Sequence, residues 1–335
     1  MNVRPLLALM LFISTPSCGR PAREVGIDDP ESPLHLVQRI ELPNVSGRID
    51  HLALDPVGRH LFVAEYGNGS VDEVDLASGK VIGRITGLRE PQGVAWLPGQ
   101  QEIAVASGDG SLRFYRAADR RQVAGINLQD DADNERVDPR SGDLVVGHGS
   151  GGLAIVDPTA HRVIRELKLR AHPEAFATIG SRVFINVPNA HSIVIGDLDR
   201  AGVLRSLGTG ALSANFPMAA DEQQSRIAVA YRFPARIAVL DASTAATLFS
   251  ASACGDADDI YFDGNRILLI CGEGAVELID MAPGHDPILI RTRRGARTGL
   301  VDPDRKRLYV ALPARGAPAE IWELSIDSGR TPPRN

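Results

Sequence analysis

Seven short polar stretches recur about 40 residues apart, and they hold most of the side chains able to do chemistry. Each lies just before a turn position occupied in order by Asp55, Leu97, Asp138, Thr178, Asp221, Asp263 and Asp302. Four residues before that position stand His51, Gly93, Asn134, Glu174, Pro217, Asp259 and Thr298. Five before stand Asp50, Gln92, Asp133, Pro173, Phe216, Asp258 and Arg297, and six before, His172 and Asn215 interrupt apolar or small residues. Residues that serve only as scaffold repeat from copy to copy, whereas these differ in every copy, as in a site grafted on a scaffold.

Three chemistries fit them. In the plainest, Asp and Asn side chains cap turns by accepting backbone N–H groups, and Arg297 is an ion-pair partner for Asp258 or Asp50. In the second, Asp133, His172 and Glu174 ligate a divalent cation, with Asn134 beside them. Two carboxylates about 5 Å apart repel by roughly 3 kcal/mol at an effective dielectric near 20, which favours a cation or a proton between them. Oxygen ligands suit calcium or magnesium; adding His51 and His172 moves the preference towards zinc or manganese. In the third, Arg297 and the histidines hold an anionic or sugar-like organic ligand. The candidate ligand-binding set is therefore Asp50, His51, Gln92, Asp133, Asn134, His172, Glu174, Asn215, Asp258, Asp259 and Arg297. Nucleophilic catalysis has no Gly-x-Ser-x-Gly elbow to rest on, and GHGSGG at Gly147 lacks the lysine and following helix of a phosphate loop. A Cys-x-x-Cys-His haem site is absent too.

The elements that must position these residues read as short strands. In the first copy HLALD, LFVAEY, VDEVDL and VIGRIT are separated by DPVGRH, GNGS and ASGK, apolar alternation bounded by turn chemistry. The second run recurs as LFVAEY, IAVASG, LVVGHG, VFINVP, IAVAYR, ILLICG and LYVALP. These are almost continuously apolar, as in strands buried on both faces. Four strands per repeat of roughly 41 residues is the mark of a β-propeller blade. The expected fold is all-β, a seven-bladed propeller with four-stranded blades. The last copy supplies three strands, and LVQRIEL from Leu36 is expected to pair with them and close the ring. On this reading the seven polar stretches open the innermost strands, beside the central channel. The turns between second and third strands open on the same face, adding Glu65, Tyr66, Asp109, His148, His191, Arg232, Arg236, Glu273 and Arg315 to a polar rim. Glu135 and Arg136 take inner-strand positions that are apolar in other copies, and are expected to find structural partners, one in the channel and one in a neighbouring blade.

The stretches GRIDHLALDP, LASGKVIGRI, EPQGVAW, DDADN, AHPEAF, ANFPMA, GDADD and GARTGLVDP resemble the YncE-like, YVTN-type family of bacterial seven-bladed propellers over roughly residues 34–326. The Tyr-Val-Thr-Asn motif itself is not intact in any copy; LFVAEY and LYVALP are its nearest forms. The resemblance implies an exported propeller and no particular activity.

Residues 1–18 read as a signal peptide: Arg4, an apolar run from Leu6 to Ile13, then small residues. Cys18 is a candidate lipidation site. Residues 19–33, polar and proline-rich, are expected to form a flexible linker and residues 327–335 a disordered tail. Cys254 and Cys271 would end antiparallel neighbouring strands, so they form either a disulfide suited to an oxidising compartment or two buried thiols. The chain has 36 basic against 42 acidic side chains and only 5% aromatic residues, which disfavours a nucleic-acid surface. The resulting expectation is a periplasmic protein or a surface lipoprotein, monomeric, touching the membrane only through a lipid anchor. It binds a small molecule, a metal ion or an envelope protein at the polar channel mouth. The alternatives are a metal-assisted hydrolase or lyase acting on a sugar lactone or uronate, and a protein-interaction scaffold. No cofactor beyond a divalent cation is implied.

Overall fold

The computed structural model describes residues 22–327. Leu61, Phe62, Val63 and Ala64 of the first second-strand are fully buried, and the same column is buried in every copy. Such strands cannot face solvent on either side, so each sheet must be sandwiched between two others. Seven hydrophobic clusters result, one at each seam between consecutive blades. The seven sheets are antiparallel meanders whose inner strands are Leu52–Asp55, Pro91–Leu97, Ala132–Val137, Phe176–Ile179, Ser213–Asp221, Ala257–Asp263 and Gly299–Asp302. They define blades one to seven. Among the described residues a single 3-10 turn, Pro188–Ala190, is the only helical element.

The ring closes as expected. Leu34–Glu41 pairs antiparallel with Glu320–Ile326, Leu36 opposite Leu324, and becomes the outer strand of blade seven. The linker expected over residues 19–33 is corrected. Arg23–Val25 runs parallel to Ile288–Arg291 and adds a fifth strand to blade six, with Val25 buried in the seam cluster. Backbone pairing, this apolar anchor and the ion pair Arg291–Glu24 at 2.6 Å hold a segment that composition alone marks as loose. The signal peptide with Cys18, and all of the tail but Asp327, lie outside the described residues.

Cys254 and Cys271 form a disulfide between the approach to blade six's inner strand and the end of its second strand. Here the antiparallel register places Cys271 opposite Ala257. No helix among the described residues is long and apolar enough to cross a membrane.

Candidate functional site

The approaches to the inner strands share a backbone device. Glu90, Asp131, Ala214 and Asp256, each seven residues before its turn position, have positive φ values of 54°, 38°, 55° and 59°. The strand register then shifts between Pro91 and Val94, Ala132 and Glu135, Asn215 and Met218, and Ala257 and Asp259. A bulge of this kind re-aims side chains at a strand end, and left-handed non-glycine residues, costly in the absence of a purpose, concentrate at functional sites. The residues inside the four shifts include Gln92, Asp133, Asn134, Phe216 and Asp258, all of which line one cavity of about 170 Å³ on the ring axis.

All seven blades contribute to that cavity. Blade one supplies Arg48, Asp50 and His51; blade two Gln92; blade three Asp131, Asp133 and Asn134; blade four His172, Glu174 and Ala175; blade five Phe216 and Arg232; blade six Asp258; blade seven Arg297. Nine of the eleven candidate residues are thereby brought together. Asn215 and Asp259 are not among them. The bulge turns Asn215 inward, where its amide donates to Asn186 Oδ1 at 2.8 Å and to the Ser192 carbonyl at 3.1 Å, while Phe216 takes the cavity position. Asp259 is buried and accepts the Gly299 N–H at 2.8 Å, tying blade six to blade seven. Of the rim turn residues only Arg232 reaches the cavity; His148, for example, faces Glu166 of its own blade at 3.6 Å. Arg48 and Asp131 escaped the sequence reading, although the column seven before the turn, with Arg48, Glu90, Asp131 and Asp256, is as irregular and polar as those that were singled out.

One side of the cavity is a closed ring of charge. Arg232 Nη2 donates to Asp258 Oδ1, Asp258 Oδ2 lies 3.6 Å from Arg297 Nε, and Arg297 Nη2 is 2.9 Å from Asp256 Oδ2. Asp256 Oδ1 returns to Arg232 Nη1 at 3.4 Å. The guanidinium of Arg232 also lies 4.0 Å over the Phe216 ring, a cation–π contact. Burial nonetheless pushes Asp258 up to about 7, against the pull of Arg232. Arg48 is likewise occupied, donating to Asp50 and lying 4.6 Å over Tyr66. Burial raises Asp50 by more than His51 and Arg48 offset.

The opposite side centres on Asp133. Its Oδ1 lies 3.9 Å from His51 Nε2 and its Oδ2 3.9 Å from His172 Nε2. These distances are too long for hydrogen bonds, and Oδ1 is buried with no hydrogen-bond partner. His172 Nδ1 donates to the Gly149 carbonyl at 2.7 Å, which fixes the ring and turns Nε2 towards Asp133. Burial opposes the charge on His172, but Asp133, the Gly149 carbonyl and Asp131 outweigh it and lift the imidazole to about 9. His51 is raised too: burial works against it, and Asp50, Asp259 and Asp133 prevail. Asp133 stays below its usual range despite burial because the two histidines favour its anion. Glu174, by contrast, is driven up to about 8 by burial and by the Asp133 charge. Gln92 joins blades two and three, its amide donating to Asp131 Oδ1 at 2.8 Å.

A cation site at Asp133, His172 and Glu174 is not assembled: among the described residues no three His, Cys, Asp or Glu side chains are grouped so as to hold a metal ion. Asp133 instead faces two imidazole rings, each 3.9 Å away, and burial with the Asp133 charge favours the protonated form of Glu174. Of the structural partners expected for Glu135 and Arg136, Arg136 finds one in the neighbouring blade and Glu135 finds none. Arg136 is exposed and donates to the Phe176 carbonyl at 3.3 Å, while both oxygens of buried Glu135 lack partners.

Neither a scan against models of protein families nor a search of curated proteins finds a match to this chain. Among solved structures it is similar to a chain of Kuenenia stuttgartiensis hydrazine synthase, with 15% sequence identity and a TM-score of 0.74 over 86% of this chain and 99% of that one. At that identity the likeness shows the fold alone, and with seven meander sheets closed by an N-terminal strand, the chain is a seven-bladed β-propeller.

Proposed function

We propose that this propeller is a binding protein for a small polar molecule, seated in the cavity at one mouth of its central channel. One observation carries the reading: seven blades alike in scaffold each send their own set of side chains to the same cavity. Convergent side chains with shifted proton affinities in one concave pocket mark a ligand site, and a lining that is polar but for Ala175 and Phe216 calls for a polar ligand. The Cys254–Cys271 disulfide supports an exported, periplasmic setting, as does the resemblance of the repeats to YncE-like propellers.

The test is a melting-temperature screen of the purified chain against polar metabolites and divalent cations. At least one organic compound should raise the melting temperature, and His172→Ala with Glu174→Ala should abolish the shift while leaving the β-sheet circular dichroism intact. If no compound shifts the wild type, or the double variant responds as the wild type does, ligand binding in this cavity is wrong.

A further inference from the structure

We infer that the ligand of this cavity is a single uncharged, polyhydroxylated ring, a monosaccharide or a cyclitol, gripped by His51, Asp133, Asn134 and Glu174. The inference rests on the binding reading above and narrows it. An anion would have to be met by guanidinium or imidazolium groups: the three guanidinium groups that line the cavity are already engaged, and both imidazoles already face the Asp133 carboxylate. Arg232 and Arg297 are locked in the four-membered ring with Asp256 and Asp258, and Arg48 is held by Asp50 and Tyr66. Pulling one of them away would strand a buried carboxylate, and an unpaired buried charge costs more than a surface pair returns. A free cation fares no better, because Asp133 already faces two imidazole rings, each 3.9 Å away.

What the acidic side offers instead is hydrogen-bonding capacity that the protein leaves unspent. Asp133 Oδ1 is a buried acceptor without a donor. Glu174 is moved by burial and neighbouring charge, and no side-chain hydrogen bond holds it. Its carboxyl group and the Asn134 amide both line the cavity and are free to meet hydroxyl groups. His51 Nε2 donates when charged. Hydroxyl groups are the matching partners, since each is at once a donor and an acceptor. Phe216 adds apolar surface to the wall, suited to the C–H face of a saturated ring. The volume of about 170 Å³ lies below the roughly 300–1,000 Å³ of pockets for drug-sized ligands, so one ring fits and a chain of them does not.

The experiment is isothermal titration of the full exported chain with glucose, galactose, mannose and myo-inositol, alongside glucuronate, gluconate, inorganic phosphate and choline. A neutral member should bind one-to-one. Asp133→Asn and Glu174→Ala should each weaken it about tenfold or more, as expected when a hydrogen bond to a buried polar group is lost. His148→Gln, outside the cavity, should bind as the wild type does. Preference for glucuronate, phosphate or choline, with the same cavity variants weakening it, overturns the ligand class and leaves the cavity reading standing. If no probe of any charge binds, the ligand class falls, and the cavity reading stands or falls on the melting-temperature screen. If a neutral ring binds but neither cavity variant weakens it, the assignment of these residues is overturned.

Discussion

Glu135 occupies an inner-strand place where other blades carry Leu52, Val94 or Met218. It packs against the next blade at Gly93, where even a Cβ would come within 3.0 Å of Glu135 Cγ and 2.2 Å of the Asp133 carbonyl. Nothing hydrogen-bonds either oxygen, and burial, followed by the Asp133 charge, drives the acid up to about 8. The folded chain therefore holds a proton that the unfolded chain releases near pH 4.5. Stability is undiminished below about pH 4.5 and falls as pH rises towards 8. Glu135→Leu removes the liability. Its stability gain should be small at pH 5 and roughly 4 kcal/mol at pH 8, since each tenfold difference in proton affinity between folded and unfolded chain corresponds to about 1.4 kcal/mol. Urea midpoints of both proteins at the two pH values measure it. A gain equal at pH 5 and pH 8 would mean that the acid is not the source.

At the scale of elements, the approach to blade six's inner strand is fastened from behind. The Cys254–Cys271 bridge spans 17 residues, and the Cys254 N–H donates to buried Glu277 at 2.6 Å. The same approach carries Asp256 and Asp258, half of the charged ring in the cavity. A loop of about 15 residues is worth roughly 3 kcal/mol on the chain-entropy account. Cys254→Ala with Cys271→Ala should thus lower unfolding free energy by about that amount in denaturant titrations, and the gap should close when the wild type is titrated in reductant; equal stability of the variant and the oxidised wild type contradicts it. The strands and their closure were legible because apolar runs and turn residues repeat with one period. The site was legible in its breaks from that period, down to His51, Asp133, His172 and Glu174. What could not be read was the bulge. Left-handed backbone falls on Glu90, Asp131, Ala214 and Asp256, with no glycine to flag it, so alternation failed to say that Phe216 and not Asn215 faces the cavity. Arg23–Val25 was unreadable for another reason, because three residues gain their order from a neighbour 265 positions away, Ile288 opposite Arg23.

For the molecule as a whole, most of the buried acids, Asp133 excepted, act in one direction. Glu65, beside Asp72, is lifted to about 8, as are Glu135 and Glu174, while Asp258 and Glu277 are lifted to about 7; burial is the first cause in each. Every one binds a proton more tightly in the fold than in the unfolded chain, so each contributes stability that is lost as pH rises from about 4 through 7 or 8. His172, held at about 9, has the same sign between its ordinary 6.5 and 9. The opposing carboxylates act only at the acid end: Asp241, drawn down to about 2 by hydroxyl and backbone donors, and Glu24, Asp75, Asp109, Asp133, Asp157 and Asp199, also lowered, contribute stability that fades only as pH falls below their ordinary range near 4. The net charge of −6 at pH 7 adds self-repulsion that shrinks on acidification. Maximum stability should therefore lie near pH 5, below the neutral range usual for proteins whose carboxylates are paired. Thermal melts from pH 4 to pH 9 should show a midpoint that peaks near pH 5 and declines steadily to pH 9, with the decline shallower in a Glu65→Gln, Glu135→Leu double variant. A midpoint that rises between pH 5 and pH 8 would show that these carboxyls are ionised in the folded ring and that its seams and channel tolerate their charge.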